Sequence, residues 1–271
     1  MPELPEVETV KNGLNEVIAG VSVTDVRVHK KQLRYKVPRG FKSKIIKAGR
    51  LAAVYRKAKY LVFDFEKENM LNHLGMTGNW KIKPQSYKLE KHDHVEFVLS
   101  NKKRLIYNDP RRFGWIELVE DVEDYFISKK HGPEPLSKQF SKKYLFGVLS
   151  TKKAPIKSVI MDQSVVLGVG NIYACESLYK AGVSPLRVAS KLTEDEVQLI
   201  VKEIKRVLKA AIKAGGSTIK DFKQAGGESG YFQTKLYVYG RKDQLCKSCH
   251  FKILNVKIAG RSSFYCPECQ T

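Results

Sequence analysis

The chain has 271 residues, and its 49 Lys and Arg outnumber its 28 Asp and Glu to give a formal net charge of +21. This length suits two domains or one large domain with an ample core. So large a basic excess indicates a polyanionic partner, most often nucleic acid. No apolar run approaches the roughly 18 residues that span a bilayer, and the acidic start at Glu3, Glu6 and Glu8 argues against a signal peptide. We therefore expect a cytoplasmic protein that handles nucleic acid and has no membrane partner.

The first residues, Met1-Pro2-Glu3, predict an unusual N-terminus. A small second residue favours removal of the initiator methionine, which would leave Pro2 with a free secondary amine. An α-amine titrates near ~7.7–8.0, so part of it is unprotonated at neutral pH and able to attack a carbonyl carbon. Addition of a secondary amine to an aldehyde gives an iminium, which is cationic without protonation. The alternative interpretation is that Pro2 only provides an ordered start to the chain.

The first half of the chain consists mainly of predicted strands after an opening helix. Glu6 to Ile18 carries apolar residues at helical spacing, and Val21–Val28 alternates as a half-buried strand should. Further strands of the same kind are predicted at Tyr60–Phe65, Gly78–Ile82, His94–Leu99, Arg104–Tyr107 and Gly114–Leu118. Many short strands separated by turn residues indicate a β-sandwich or barrel.

The second half becomes helical after a breaker-rich segment at residues 131–135. Its clearest helix runs from Thr193 to Ala214, with a capping box formed by Thr193 and Glu196 and an end at Gly215-Gly216. We interpret the basic residues of this helix as a solvated face, and a stripe facing DNA is the alternative. A strand is predicted over Leu236–Gly240.

Four of the five cysteines form a pattern near the C-terminus, Cys246-x2-Cys249-x16-Cys266-x2-Cys269. Each Cys-x2-Cys pair places two thiolates on one tight turn, and two such turns complete a tetrahedral zinc site. Because all four ligands are cysteines, no position is left for a water, and we predict one structural Zn²⁺. The spacer predicts a hairpin with Arg261 at its tip, which we expect to contact DNA. The fifth cysteine, Cys175, is expected to be a small buried apolar residue.

Three loops carry residues that suit nucleic-acid contacts. The loop Asn108–Gly114 holds paired arginines beside Phe113, which suits a phosphate clamp with an aromatic wedge, although a turn whose Phe113 caps the core is the alternative. The glycines before Asn171 predict a helix N-terminus that is open to an anion. The segment Lys91–His94 lacks further metal ligands at suitable spacing, so a DNA contact or a satisfied turn is expected there. Met76 by itself predicts core filling.

Taken together, these motifs resemble those of the bacterial formamidopyrimidine-DNA glycosylases. The matching segments run in order from end to end of the chain: Pro2–Thr9, Arg56–Leu61, His73–Met76, Asp109–Gly114, Gly168–Tyr173 and the four-cysteine finger with Gly260-Arg261. The resemblance implies a bifunctional DNA glycosylase and lyase that removes oxidised purines, such as 8-oxoguanine and formamidopyrimidines, from double-stranded DNA.

The family pattern also implies a role for each matching residue. Pro2 resembles the nucleophile that attacks C1′, and Glu3 the acid that assists opening of the sugar ring. Lys59 and Arg261 resemble the residues assigned to the β- and δ-elimination steps. The residues that resemble those filling the gap left by the flipped nucleotide are Met76, Arg111 and Phe113, and those that resemble phosphate contacts are His92, Lys153 and Asn171. Glu6 and Glu176 resemble the pocket carboxylates, and Lys220 and Tyr231 resemble the lid residues.

The expected architecture is an α+β multidomain protein. It would comprise an N-terminal β-sandwich over residues 1–132, a helical helix–two-turn–helix domain over 133–235 and a zinc finger over 236–271, acting as a monomer with DNA in a basic cleft. Two alternatives stay open. One is an endonuclease VIII-like enzyme for oxidised pyrimidines, and the other is a zinc-ribbon DNA-binding protein without catalysis, which would leave Pro2, Glu3 and Lys59 unexplained.

Overall fold

The structure is a computed structural model that describes residues 2–216 and 236–271. These residues form two compact units. The first holds the described residues of 1–127 and 214–231, and the second holds those of 128–213 and 232–271. No helix in the described parts of the chain combines the length and the apolar content needed to cross a membrane.

The elements of the first unit are an opening helix, eight strands and two short helices. In chain order they are α1 Leu4–Ile18, β1 Val21–Val28, α2 Phe41–Lys47, β2 Arg50–Lys57, β3 Tyr60–Phe65, β4 Glu68–His73, β5 Asn79–Pro84, β6 Asp93–Leu99, β7 Lys103–Asn108, β8 Trp115–Val119 and α3 Val122–Ser128. The opening helix and the predicted strands are thus confirmed to within two residues at each end. Four elements that we did not predict, α2, β2, β4 and α3, complete the set.

The eight strands are antiparallel and run in the order β5-β7-β6-β1-β2-β3-β4-β8. Strand β1 belongs to two halves of this sheet, because Val21 and Ser22 pair with β2 whereas Val23 to Val28 pair with β6. Side chains from both halves pack in one core, where the ring centroids of Phe63 and Trp80 lie 5.1 Å apart. The predicted β-sandwich is confirmed, because apolar residues at every second position of each half face a common interior.

The elements of the second unit are mainly helices. They are α4 Lys142–Leu149, α5 Ile156–Ile160, α6 Asn171–Ala181, a 3₁₀ turn Ala189–Lys191, α7 Glu194–Lys213, β9 Leu254–Ile258 and β10 Arg261–Tyr265. Helix α7 begins as predicted, because Thr193 Oγ1 accepts the N–H of Glu196 at 3.3 Å and the Glu196 carboxylate accepts the N–H of Thr193 at 2.8 Å. The predicted hairpin between the two cysteine pairs is also confirmed as β9 and β10, which pair with each other.

The strand predicted over Leu236–Gly240 is wrong, since this segment forms bends and a turn. The backbone N–H groups of Tyr237, Val238 and Tyr239 all donate to the buried carboxylate of Glu176, each at 2.9 Å. These three donors are therefore not available for a strand ladder. The apolar alternation that predicted a strand instead places Val238 in a small core with the cysteine cluster.

Candidate active site and nucleic-acid interface

The N-terminal segment is fixed at the start of α1 by a reciprocal capping box. Glu3 is the N-cap, its side chain accepts the backbone N–H of Glu6, and Glu6 Oε2 accepts the N–H of Glu3 at 2.9 Å. Both carboxylates are buried, with 3% of Glu3 and none of Glu6 exposed. The positive end of the helix dipole favours anionic groups at this position. The result is that Pro2 and Glu3 are held in one conformation at the end of a rigid helix.

Glu6 also lies beside the chain that leaves α7. A Cβ added at Gly216, whose φ is +79°, would lie 3.0 Å from Glu6 Oε1, which is tighter than ordinary contacts. Glycine therefore allows the backbone to pass close to this carboxylate. The predicted lid residues Lys220 and Tyr231 follow that point and lie outside the described residues.

Arg56 ties α1 to the turn that carries Lys59. Its Nε donates to Glu8 at 2.6 Å, and its Nη1 donates to the carbonyl of Ala58 at 2.9 Å. Burial raises the pKa of Glu8, but hydrogen bonds and charge from Lys11 and Arg56 outweigh this and lower it overall. Ala58 has a φ of 54°, as the two-residue turn between β2 and β3 requires. The bridge brings the start of α1 and the buried Lys59 into one region of the first unit.

His73 lies close to Lys59 and is held neutral. Burial lowers its pKa, and the charges of Lys59 and Arg34 lower it further, to about 4. Its Nδ1 accepts the N–H of Gly75 at 3.1 Å, which requires an unprotonated nitrogen. His73 therefore adds no positive charge beside Lys59 at neutral pH.

The loop with Met76 packs directly on the loop with Arg111 and Phe113. Gly75 has a φ of +65°, and a Cβ there would lie 2.3 Å from the carbonyl carbon of Phe113, so only glycine permits this contact. The guanidinium of Arg111 lies over the Phe113 ring, 4.7 Å from its centroid. Phe113 is 42% exposed, so the alternative that it caps the core is wrong. The structure thus brings Met76, Arg111 and Phe113 together on one surface.

Asp109 organises this surface, although we did not predict a role for it. It is fully buried and accepts hydrogen bonds from the Thr77 hydroxyl at 2.5 Å and from the N–H of Gly114 at 2.8 Å. The Thr77 oxygen in turn accepts the N–H of Arg111 at 3.1 Å. Because a buried carboxylate needs such donors, Asp109 fixes the bend between Arg111 and Gly114. The sequence signal that could have identified Asp109 was its position as the first residue of the Asp109–Gly114 motif.

His92 lies against the same bend. Its backbone carbonyl accepts the N–H of Asp109 at 3.1 Å, while His94 Nε2 lies 2.8 Å from the carbonyl oxygen of Asp109. The buried carboxylate of Asp93 accepts a hydrogen bond from the Asn108 amide at 2.7 Å. Asp93 and His94 are thus satisfied within the turn, as one of our interpretations expected. His92 is half-buried, and its ring lies 6.4 Å from the ring of His94.

In the second unit, a buried lysine that the sequence analysis missed connects two predicted DNA contacts. Lys157 on α5 is 1% exposed, and its ammonium donates to Asn171 Oδ1 at 2.5 Å, to Ser263 Oγ at 2.6 Å and to the Ser262 carbonyl at 3.2 Å. The Asn171 amide also donates to the Ser262 carbonyl at 2.9 Å. The N-terminus of α6 and the strand that begins at Arg261 are therefore joined by one polar cluster.

Arg261 and Lys153 are both exposed. Arg261 begins β10 after a turn in which Ala259 and Gly260 have φ values of 47° and 74°. Its side chain lines a small cavity of about 240 Å³ together with Lys157 and Asp162. Lys153 lies in the turn before α5. Both cations are thus free to meet a ligand in solvent.

The four cysteines of the finger meet the geometric requirements of a metal site. The ligand atoms of Cys246, Cys249, Cys266 and Cys269 lie within 4.8 Å of one another. The Cys246–Cys269 and Cys249–Cys266 sulfur pairs are 3.9 Å and 3.4 Å apart, close to the roughly 3.8 Å edge that a tetrahedron with Zn–S bonds of ~2.3 Å would have. Within the described residues no other group of three or more potential metal ligands was found. The cluster could therefore hold a metal ion.

The two units match known protein families. A model of the Formamidopyrimidine-DNA glycosylase N-terminal domain matches residues 1–116, and one of the Formamidopyrimidine-DNA glycosylase H2TH domain matches residues 131–223. The Formamidopyrimidine-DNA glycosylase of Psychromonas ingrahamii is 46% identical over 100% of both chains. That of Haemophilus influenzae (strain 86-028NP) is 44% identical over 100% of this chain and 99% of the relative.

Solved structures agree with these matches. The Lactococcus lactis Fpg in complex with DNA that contains an abasic site is 34% identical with a TM-score of 0.93, and both chains are covered completely. A complex of MutM with DNA that contains carbocyclic 8-oxo-G has the same identity and coverage and a TM-score of 0.91. The fold and the matched domains define a DNA glycosylase with a helix–two-turn–helix domain, as predicted. The chain belongs to the formamidopyrimidine-DNA glycosylase family.

Proposed function

We propose that this DNA glycosylase of base excision repair removes oxidised purines from double-stranded DNA and then cleaves the strand at the resulting abasic site. The family membership supports the enzyme class. The similar solved proteins are complexes with DNA containing 8-oxo-G, Fapy-dG or an abasic site, which supports the substrate class. The observation that carries the mechanism is the buried capping box, which fixes Pro2 and Glu3 at the end of α1.

In the proposed reaction, Pro2 is the nucleophile after removal of the first methionine. Its nitrogen lone pair forms a bond to C1′ of the damaged nucleotide, and the bond from C1′ to the base breaks with its electron pair leaving on the base, which takes up a proton. The Glu3 carboxylate then accepts the proton that the proline nitrogen releases and donates it to O4′ as the C1′–O4′ bond breaks, and the nitrogen becomes an iminium. A neutral proline amine is required, because a protonated one has no lone pair.

The iminium then allows strand cleavage. It withdraws electrons from C1′, so the C2′ proton becomes acidic and its loss expels the 3′ phosphate by β-elimination. A second elimination expels the 5′ phosphate. We assign Lys59 and Arg261 to the proton transfers of these steps, and hydrolysis of the last iminium returns free Pro2. The polar contacts of Arg56 support this assignment for Lys59, since they tie its turn to α1.

The surface formed by the half-buried Met76 and the exposed Arg111 and Phe113 suits the filling of the gap left by an extruded nucleotide. Base flipping costs a few kcal/mol of stacking and pairing. A stacked arginine and aromatic ring can offset part of this cost, because both have flat faces that can lie against bases. We further propose that His92, Lys153 and Asn171 bind phosphates, and that Glu6 and Glu176 contribute to the base pocket with Lys220 and Tyr231 as its lid.

We propose that the finger binds one structural Zn²⁺ through its four cysteines. The ion would stabilise a segment whose own core is small, and the tetrathiolate set leaves no open position for a reacting water. The three-domain division at residues 132 and 235 and a monomeric state remain parts of the proposal. Since its substrate is chromosomal DNA, the protein would act in the bacterial cytoplasm at the nucleoid.

Trapping with borohydride tests the mechanism. Reduction of the iminium on a duplex containing 8-oxoguanine should give a stable covalent complex, and peptide mapping should place the link at Pro2. Protein that retains Met1 should give no complex, and Glu3→Gln should trap slowly. Glu16→Gln is the matched control on the exposed side of the same helix and should behave as the original protein. A covalent link to a lysine, or trapping by protein with an intact first methionine, would contradict the assignment of Pro2.

A comparison of substrates tests the lesion class. Duplexes containing 8-oxoguanine or thymine glycol should be cleaved at different rates, with the purine lesion preferred. Faster cleavage of thymine glycol would instead favour the alternative of an enzyme for oxidised pyrimidines.

A further inference from the structure

The first unit contains a cavity of about 840 Å³ between the end of β1 and helix α2. This volume lies within the range of roughly 300–1,000 Å³ that is typical of ligand sites. The apolar residues that line it are Val28, Val37, Pro38, Phe41 and Ile46. Ile46 is 39% exposed at this cavity. The cavity thus offers an apolar interior that water alone would fill poorly.

The rim of this cavity is strongly basic. Its cationic residues are Lys31, Lys36, Arg39, Lys42 and Lys47. Lys42 is paired with Asp25 at 2.6 Å, but the described part of the chain places no carboxylate within ion-pair distance of the other four. The sequence contains no Asp or Glu between Asp25 and Asp64. Unpaired like charges around an apolar interior attract an anionic partner.

The walls of the cavity are formed before any ligand binds. Phe41 and Ile45 anchor α2 in the core, with 3% and none of their surface exposed. Gly40 has a φ of 68°, a left-handed conformation that turns the chain from Arg39 into the helix at little steric cost. A site with rigid walls loses little conformational entropy on binding.

We propose that the cavity and its basic rim form a groove that docks an acidic peptide segment of a partner protein, with a bulky apolar side chain of the peptide in the cavity. Carboxylates of the peptide would pair with the rim cations, and the apolar side chain would bury the surface of Ile46 and its neighbours. Such a combination of a central apolar anchor and a charged rim is typical of protein interfaces. This inference does not depend on the glycosylase reaction.

Duplex DNA fits this groove less well than a peptide does. Phosphates would satisfy the rim, but most protein–DNA hydrogen bonds go to phosphate and sugar, and the bases of an intact duplex remain stacked. The apolar interior would therefore stay in contact with water if DNA were bound. Only a ligand with both carboxylates and a free apolar side chain uses both parts of the groove.

Fluorescence anisotropy with a labelled peptide tests the proposal. The probe is an octapeptide of six Asp and Glu residues with one Phe and one Leu, and the reference peptide replaces Phe and Leu with Ala. We expect binding in the micromolar range, weakened about tenfold by Lys36→Gln/Arg39→Gln and about threefold by Ile46→Ser, because these changes remove rim charge and apolar contact respectively. The reference peptide should bind roughly tenfold more weakly than the probe. The matched control, Lys202→Gln/Lys209→Gln, removes the same charge from the exposed face of α7 and should change binding less than about twofold.

The Lys36→Gln/Arg39→Gln and Ile46→Ser variants must keep their fold and their affinity for damaged duplex within about twofold, since none of these residues is assigned to the DNA site. Three results would overturn the proposal: equal binding of the two peptides, equal losses in the groove and control variants, or a parallel loss of DNA affinity in the Lys36→Gln/Arg39→Gln variant. The last result would identify the groove as a phosphate contact of the DNA interface.

Discussion

Replacement of Lys157 by Met tests whether one buried lysine couples the α6 N-terminus to the β9–β10 hairpin. Methionine keeps most of the apolar stem but removes the ammonium and its three donated hydrogen bonds. Two of the acceptors keep another interaction, because the Ser262 carbonyl still accepts from the Asn171 amide and the Ser263 hydroxyl still donates to the Arg261 carbonyl. Among the described residues, Lys157 is the one hydrogen-bond donor to Asn171 Oδ1.

The expected loss of stability follows from this accounting. A buried acceptor that loses its partner costs about 1–3 kcal/mol, and bonds from a charged donor lie at the upper end, but removing a buried charge gives back part of the cost. We expect the free energy of unfolding to fall by about 2 kcal/mol. Urea unfolding followed by circular dichroism measures this change, and hydrogen exchange should show faster exchange in Leu254–Tyr265. Lys202→Met on the exposed face of α7 is the matched control and should change stability by less than about 0.5 kcal/mol.

The same variant has a functional signature. Without Lys157 the Asn171 side chain keeps its bond to the Ser262 carbonyl but loses the one at Oδ1. A phosphate contact through Asn171 is then held less firmly, so DNA affinity should fall about tenfold, or ~1.4 kcal/mol. Asn171→Ala should give a similar loss, and the double variant should lose little more, because both changes remove one contact. Fully additive losses in the double variant, or unchanged hairpin exchange in Lys157→Met, would refute the coupling.

Three further predictions concern metal, pH and salt. Chelation of the metal should abolish DNA binding and the hydrogen-exchange protection of the finger, since metal binding of roughly 10–16 kcal/mol is coupled to folding of such sites. The fluorescence of Trp80 and Trp115 in the first unit should stay unchanged. Protection of the finger that persists without metal would contradict this prediction. Lowering the pH from 6.5 to 4 should destabilise the first unit by up to about 3 kcal/mol, because the unfolded chain protonates His73 there while the folded protein, with a pKa of about 4, does not. His73→Gln should remove that part of the pH dependence in urea titrations, and an unchanged slope would exclude His73 as its source. If about six phosphates are neutralised, log K for duplex DNA should fall with log salt at a slope near ~−5 in filter binding, and a flat response would contradict phosphate clamping.

Local patterns in the sequence were sufficient for most of the secondary structure. Alternation identified β1 and β3 at their observed bounds, and a capping box with a glycine end identified α7. Strand β4, Glu68–His73, was missed because it is polar at several positions, and pairing with β3 and β8 on both sides decides its structure. Propensity carries no information about such neighbours.

The site residues divide in the same way. Glu3 and Glu6 stand three positions apart at a helix start, so the capping box between them is a local property of the chain. The roles of Asp109 and Glu176 are not local, since each buried carboxylate is defined by the donors that the fold brings to it. The wrong strand at Leu236–Gly240 has this cause, because Glu176 lies more than 60 positions away and takes three of the segment's N–H groups.

Elements with short-range causes are predictable from local patterns: the opening helix and its cap, the alternating strands, the cysteine spacing and the family motifs. Which loops meet was fixed by the tertiary structure. It placed Gly75 against Phe113, Arg56 between Glu8 and the Lys59 turn, and Lys157 beneath Asn171. The physical reason is that hydrogen bonds and close packing act over a few ångströms in space, whereas these partners are separated by up to about a hundred residues along the chain.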